Sequence, residues 1–137
     1  MSAAASGIGD IAGTHYATWV VKAHAAATAT EDLEGWYAPA AAKVTAITLT
    51  PSTAATGNNT NRTNYNFINR GTDGLGSTEV ANYDYTTGVD AVASKPASVT
   101  VTAFSLTAGQ VLAVQAEKVG TGVALGTTTI TIAFQYA

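Results

Sequence analysis

Apolar and polar residues alternate with a period of two along several short stretches of the chain. In TTTITIAFQY, near the end, Ile130, Ile132, Phe134 and Tyr136 share one side of an extended chain, and the other side holds Thr129, Thr131, Ala133 and Gln135. Successive side chains of a β-strand point to opposite faces of its sheet, so this pattern predicts a strand with one buried face.

Five further stretches read as strands for the same reason or because they are rich in β-branched residues: HYATWVVKAHA, KVTAITLT, NYNFINR, VTVTAFSL and VLAVQAEKV. TEVANYDYTTGVDAVASKPAS is predicted as part strand and part loop, EDLEG as an acidic turn, and PSTAATGNNTNRTN as a long exposed loop. Six to eight short strands without a helical period predict an all-β fold. We expect an antiparallel β-sandwich of jelly-roll or Greek-key type, with a small barrel as the alternative.

The first residues differ from the rest of the chain. Residues 1–13 are mostly small and show no periodicity, which predicts a flexible N-terminal arm before a sandwich domain over residues 14–137. They have neither a basic segment nor an apolar core of the kind found in secretory signals, so no such signal is expected here.

Charge is sparse, and this narrows the classes of partner. Only 11% of the 137 residues are charged, against about 25% in an average domain, and the net charge is −3. The six basic residues are scattered, so we predict no nucleic-acid binding. No apolar run approaches the roughly 18 residues of a membrane helix, so no membrane association is expected. The absence of cysteine excludes disulfides and thiolate metal sites.

Residues that carry chemistry in other proteins form no convincing set here. His15 and His24 are nine residues apart and would lie on opposite faces of one strand, so they do not converge on a metal. The acidic cluster of Glu31, Asp32 and Glu34 reads as solvated or turn-capping carboxylates. We therefore predict no catalytic residue, no metal site and no cofactor, and a protein that is not an enzyme.

Two groups of residues leave a binding role open. Trp36, Tyr37 and the Tyr83/Tyr85 pair are candidates for a platform on which a sugar stacks. The GTG of EKVGTGVALG is a second candidate, as a phosphate cradle, but it lies between strand-like segments rather than before a helix. Gly120 and Gly122 are therefore expected to be turn positions with positive φ.

The stretch LTAGQVLAVQAEKVGTGVALGTTTITIAFQY resembles the C-terminal β-hairpin of the head decoration, or cement, proteins of tailed bacteriophages and related capsid accessory proteins. The stretch begins with a strand that ends in leucine, followed by AGQ and a second strand that leads to KVGTG. A short connection and a last strand follow. AKVTAITLTPSTAATGNNTNRTNYNFINRGTDGLG resembles the same group more loosely. Gln110 stands where the group commonly has aspartate, and Gly126 stands near an expected proline.

This resemblance implies a virion structural protein on the capsid exterior. Its partner would be the major capsid protein, whose subunit contacts it would reinforce, and it would be a homo-oligomer, with a trimer favoured. We expect residues 1–13 and the loop that begins at Ser52, particularly Thr56–Asn64, to be docking or intersubunit elements, because both segments are polar or small and lack a pattern. The alternatives are a carbohydrate-binding or receptor-binding virion domain and a tail-associated structural protein.

Overall fold

A computed structural model of the protein describes residues 12–137, which form nine strands. The strands are β1 (His15–Val21), β2 (Glu31–Tyr37), β3 (Ala42–Pro51), β4 (Arg62–Asn69), β5 (Thr78–Tyr83), β6 (Ala97–Val99), β7 (Phe104–Leu106), β8 (Val111–Val119) and β9 (Thr128–Tyr136). The described residues contain no helix. The predicted all-β class is confirmed.

The strands form two antiparallel sheets that pack face to face. One has the order β1-β9-β3-β6, with β7 also paired to β3, and the other has the order β2-β8-β4-β5. Both sheets contribute to one buried cluster, in which Tyr65 and Phe67 of β4 meet Ile130 and Ile132 of β9. The fold is therefore an antiparallel β-sandwich, as predicted.

Alternation along the strands explains which side chains enter this core. In β9 the residues at even positions from Thr128 to Phe134 are buried, and the intervening Thr129, Thr131 and Ala133 are partly exposed on the outer face. In β1, Trp19 packs against the core and Val21 is fully buried, while Thr18 is exposed. Both predicted strands are confirmed with the predicted faces inward.

Two local predictions were wrong. EDLEG was expected to be a turn, but Glu31–Tyr37 form β2, an edge strand that pairs with β8 through a bulge between Leu33 and Trp36. Asp32 and Glu34 are exposed, which hides the strand in the sequence. VTVTAFSL was expected to be one strand, but Val99 ends β6, residues 100–103 lie in no strand, and Phe104–Leu106 form β7. β6 and β7 pair with different parts of β3.

The predicted closing hairpin is also wrong. β8 pairs with β2 and β4 in one sheet, whereas β9 pairs with β1 and β3 in the other. The segment between them crosses from sheet to sheet instead of folding β9 back onto β8. Its glycines do have the expected conformation, with φ of 62° at Gly120 and 70° at Gly122.

The polar loop after β3 is shorter than predicted. β4 begins at Arg62, so Thr63 and Asn64 are strand residues, and both are buried. Only the part of the expected docking segment before Arg62 remains a loop. The expected arm, residues 1–13, lies outside the described residues except for Ala12 and Gly13, which are exposed.

Candidate functional site

The central part of the outer face of the β1-β9-β3 sheet carries no charged side chain. It consists of Tyr16, Thr18 and Val20 from β1, Thr129, Thr131 and Ala133 from β9, and Ala46, Thr48 and Thr50 from β3, and we call it the threonine face. Tyr16 is 70% exposed and Val20 is 55% exposed. Lys43 and its partner Gln135 lie at one end of the face. This is a broad, neutral surface with two exposed apolar side chains.

Strand register aligns these residues in rows across the sheet. Thr18 lies opposite Thr131, which lies opposite Thr48 on its other side. The Thr18 and Thr131 hydroxyl oxygens are 3.2 Å apart, a hydrogen-bonding distance. Cross-strand threonine pairs of this kind stabilise a sheet. The rows therefore form one flat, ordered surface.

The outer face of the opposite sheet has different chemistry. Its outward side chains are mostly amides and carboxylates, and we call it the amide face: Asp32, Asn82, Gln115 and Glu117 are exposed or half-buried, and Asn64 and Asn66 are buried. Asn66 Nδ2 donates to Gln115 Oε1 at 3.1 Å, and Asn64 Nδ2 donates to Glu117 Oε1 at 3.2 Å. The two outer faces of the sandwich thus differ sharply in charge and hydrogen-bonding capacity.

The two histidines occupy separate sites. His15 lies at the start of β1, with its ring 5.1 Å from that of Tyr136. His24 is 1% exposed, and its ring nitrogens lie 3.1 Å from the Thr28 carbonyl oxygen and 3.3 Å from Glu31 Oε1. A carbonyl oxygen can only accept, so His24 Nε2 is the donor to Thr28. His24 thereby holds the turn between β1 and β2.

The clustered acids of β2 each have a different partner. Glu31 lies 3.4 Å from Lys22 Nζ and also contacts His24. Asp32 accepts two hydrogen bonds from the Arg70 guanidinium, at 2.7 and 2.9 Å, which raise the pKa of Arg70. Glu34 accepts from the Lys22 backbone N–H at 2.8 Å, and this bond lowers the pKa of Glu34. These carboxylates tie β2 to its neighbours instead of facing a common reacting centre.

Trp36 and Tyr37 do not form a platform. The Trp36 ring packs inward, 4.9 Å from that of Phe134, while Tyr37 is 62% exposed on the other side of the strand. Adjacent strand residues point to opposite faces, so the two rings cannot stack on one ligand.

Tyr83 and Tyr85, by contrast, lie together in the wall of a cavity of about 220 Å³. Their ring centroids are 5.1 Å apart, with the rings nearly perpendicular. The cavity lies where the end of β5, the loop over residues 84–96 and the start of β6 meet, and Asp90 and Lys95 also line it. We call it the tyrosine cavity.

Tyr85 has an unusual environment within this cavity. Its side chain is buried, at 3% exposure, and its hydroxyl has no hydrogen-bond partner among residues 12–137. Burial raises the pKa of Tyr85, and the nearby hydroxyls of Tyr65 and Tyr83 raise it further. Tyr85 is therefore a neutral hydroxyl that is able both to donate and to accept.

Backbone hydrogen bonds to the loop after β3 fix the cavity wall. Ala55 and Ala91 exchange two backbone hydrogen bonds, at 2.8 and 3.0 Å, and the Asn58 N–H donates to the Tyr85 carbonyl at 2.9 Å. The Gly57 N–H donates to Asp90 Oδ1 at 2.7 Å. The loop predicted to be a docking element is thus partly a support for the tyrosine cavity.

The remaining candidate residues have structural contacts. Asn58 Oδ1 accepts from the backbone N–H groups of Thr60 and Asn61, and Asn61 Oδ1 accepts from that of Thr121. These bonds pin the loop to the turn that contains Gly120 and Gly122. Lys118 lies in β8 before that turn, and no helix begins after it.

Neither a metal site nor a membrane helix is found in the part of the chain that the structure describes. Residues 12–137 contain no group of three or more His, Cys, Asp or Glu side chains placed to hold a metal ion. No helix within that range is long and apolar enough to cross a membrane. No protein-family model matches the chain, and no curated protein matches it.

Sequence reasoning named the Tyr83/Tyr85 pair but missed the rest of the tyrosine cavity. Asp90, Lys95 and Val89 line it, and none belongs to a recognisable motif. They lie near the tyrosines only because β5 and β6 face each other at the edge of the sandwich. The spacing of these residues along the chain does not predict that they are neighbours.

Proposed function

We propose that this protein is a virion structural protein that binds the outer surface of a capsid through its threonine face. The observation that carries the proposal is the contrast between the two outer faces. A protein surface that becomes buried is typically depleted of charge at its centre, with aromatic residues enriched. None of the nine residues of the threonine face is charged, and its one aromatic side chain, Tyr16, is 70% exposed.

The strand order gives further support. We further propose that the sandwich is of jelly-roll type, because the strand orders β1-β9-β3-β6 and β2-β8-β4-β5 agree with that arrangement. Jelly rolls occur in viral capsid proteins and also in lectins. The order alone does not separate these functions, so the proposal depends on the surfaces.

The partner we propose is the major capsid protein, with this chain reinforcing contacts between its subunits as a homo-oligomer, with a trimer favoured. The amide face would point away from the shell, where its carboxylates keep the particle surface hydrated. A tail-associated role uses the same neutral face on a different assembly, so the experiment includes both assemblies.

Co-sedimentation tests the proposal. The purified chain, with its mass first determined by light scattering, is mixed with capsids that lack it and, separately, with purified tails. We expect saturable pelleting with capsids only. Thr18→Lys places a charge on the threonine face, and Asn82→Lys places one on the amide face, each at an exposed position of an edge strand. Thr18→Lys should reduce binding at least tenfold, and Asn82→Lys should leave it unchanged. Equal binding by both variants, or pelleting with tails alone, would refute the proposal.

A further inference from the structure

β1 is the edge strand of its sheet, and one side of it is open. Within residues 12–137 it pairs with β9 and with no other strand. The residues that flank it, Thr14 and Lys22, are both exposed. An unpaired strand edge offers a row of backbone N–H and C=O groups to a second strand.

The sheet shows which backbone groups of β1 point to this open side. The Thr45 hydroxyl donates to the Ala133 carbonyl at 3.3 Å, so Ala133 of β9 directs its backbone groups towards β3. Tyr16 lies opposite Ala133 in β1, and a pair of this kind is not hydrogen-bonded, so the Tyr16 backbone groups point away from β9. The direction alternates along a strand, so the backbone groups of Thr18 and Val20 also point to the open side.

The sequence of β1 is self-complementary about its central residue, Thr18. In an antiparallel pair of two β1 strands centred there, Tyr16 of each copy lies opposite Val20 of the other, and Thr18 lies opposite Thr18. Tyr16 and Val20 are the exposed large apolar side chains of the strand, so the pairing brings them together. Ala17 and Trp19, half-buried on the inner side, also come to lie opposite each other. Aromatic and β-branched side chains in opposite positions stabilise a sheet.

Charge favours such a self-pairing at β1 over the neighbouring edge strand. β1 contains no Asp, Glu, Lys or Arg, so no like charges meet in the pair. Two β2 strands paired about their central residue would place Glu34 opposite Glu34, and β2 also has a bulge. Like charges directly opposite each other destabilise a sheet. β1 is therefore the better edge for a second copy of this chain.

The acidic residues of β2, which lies beside β1 in the other sheet, are engaged within their own chain. Asp32 pairs with Arg70 at 2.7 Å, and Glu31 pairs with Lys22 at 3.4 Å. Glu34 accepts from the Lys22 backbone N–H at 2.8 Å. These local contacts reduce the repulsion between the β2 strands of two copies that are joined at β1.

We propose that two copies of this chain associate through β1, in an antiparallel pair centred on Thr18 that continues the sheet from one copy into the other. A hydrogen-bonded pair in an antiparallel ladder exchanges two backbone bonds, so the contact gains about six, two at Thr18 and four where Tyr16 meets Val20. The two-fold axis is perpendicular to the sheet, so the threonine faces of the two copies lie side by side. This inference does not depend on capsid binding. The contact closes with two copies, in place of the trimer that the resemblance favours.

Light scattering of the full chain over a dilution series tests the contact. We expect the mass of two 13.8 kDa chains at about 1 mM protein and dissociation on dilution. Hydrogen exchange followed by NMR then tests the strand. The Tyr16, Thr18 and Val20 amides should exchange more slowly in the dimer than in the diluted monomer, because the pairing removes them from water. A mass of one or three chains at about 1 mM, or no slowing at these amides, would overturn the inference.

Two double variants test the register. Tyr16→Lys with Val20→Lys places lysines opposite each other and should weaken association by about tenfold or more. Tyr16→Lys with Val20→Glu changes the same two exposed positions but places lysine opposite glutamate, so its association should be about tenfold stronger than that of the first variant. Urea unfolding checks that both remain folded. Equal association of the two double variants would contradict the register.

The capsid experiment separates this inference from the proposed function. A parent chain that forms dimers but does not pellet with capsids would refute the proposed function alone. A parent chain that pellets with capsids and stays a monomer at about 1 mM would refute this inference alone.

Discussion

Tyr65 and Tyr85 offer a direct test of how hydrogen bonding is distributed in this core. Both side chains are buried, at 0% and 3% exposure, and their ring centroids are 6.2 Å apart. Tyr65 Oη lies 2.8 Å from Thr128 Oγ1, a hydrogen-bonding distance, whereas Tyr85 Oη has no partner among residues 12–137. The same substitution, tyrosine to phenylalanine, should therefore have opposite effects at the two positions.

The magnitudes follow from the cost of a buried hydroxyl. Tyr65→Phe removes a hydrogen bond and should lower the free energy of unfolding by about 1 kcal/mol. The loss stays small because Thr128 Oγ1 also lies 3.4 Å from the Gly126 carbonyl oxygen, an alternative acceptor. Tyr85→Phe removes an unsatisfied group and should raise the free energy of unfolding by about 1 kcal/mol or more.

Urea unfolding of the ligand-free chain measures both changes. With a slope of about 1–3 kcal/mol per molar urea, a difference of about 2 kcal/mol separates the two midpoints by about 1 M. The slopes should be equal, because neither substitution changes the surface exposed on unfolding. If Tyr85→Phe destabilises the chain as much as Tyr65→Phe does, the Tyr85 hydroxyl has a partner in the free protein.

Two further predictions concern the same region. Burial raises the pKa of Tyr65 and Tyr85, so the stability that each contributes is complete below about pH 10, the unfolded value, and is lost as pH rises above it. The free energy of unfolding, measured by urea titration, should fall by up to about 1.4 kcal/mol per pH unit for each tyrosine. The fall should be shallower in Tyr85→Phe, and parallel curves for the two chains would contradict this. Gly57 packs where a Cβ would overlap the Thr86 and Val89 carbonyl oxygens. Gly57→Ala should therefore lower the free energy of unfolding, measured by thermal unfolding, by about 1–3 kcal/mol. The control Thr56→Ala, at an exposed neighbouring position, should lower it by less than about 0.5 kcal/mol. Equal losses in the two variants would refute the packing argument.

The sequence predicts the strands in which apolar and polar side chains alternate. Its predictions are wrong where the structure depends on contacts that the local pattern does not show. Both β9 and the side of it that faces the core were predicted, because the alternation of Ile130 and Ile132 with polar residues is enough to show which side is buried. β2 was missed because only Leu33 and Trp36 of this edge strand contact the core, with a bulge between them. The prediction that β8 and β9 form a hairpin was wrong, because a hairpin turn and a connection that crosses between sheets use similar turn residues.

The candidate surfaces depend still more on contacts between distant residues. Threonines at alternate positions of β1, β3 and β9 are visible in the sequence, but their alignment needs the register that places Thr131 between Thr18 and Thr48. The tyrosine cavity likewise joins Pro51 to residues 83–97. Its unpaired hydroxyl is a property of the packed core, and no spacing rule reveals it.

The four sheet edges give an independent reason to expect a partner at β1. Exposed edge strands invite pairing with other chains, and proteins protect them with short length, bulges or charges. β6 is three residues long, and β2 and β5 carry outward acidic residues and pair through bulges. β1 pairs with β9 without a bulge over seven residues, and it presents Tyr16, Thr18 and Val20 without a charge. The neutral edge and the neutral face beside it are therefore consistent with the capsid contact that we propose.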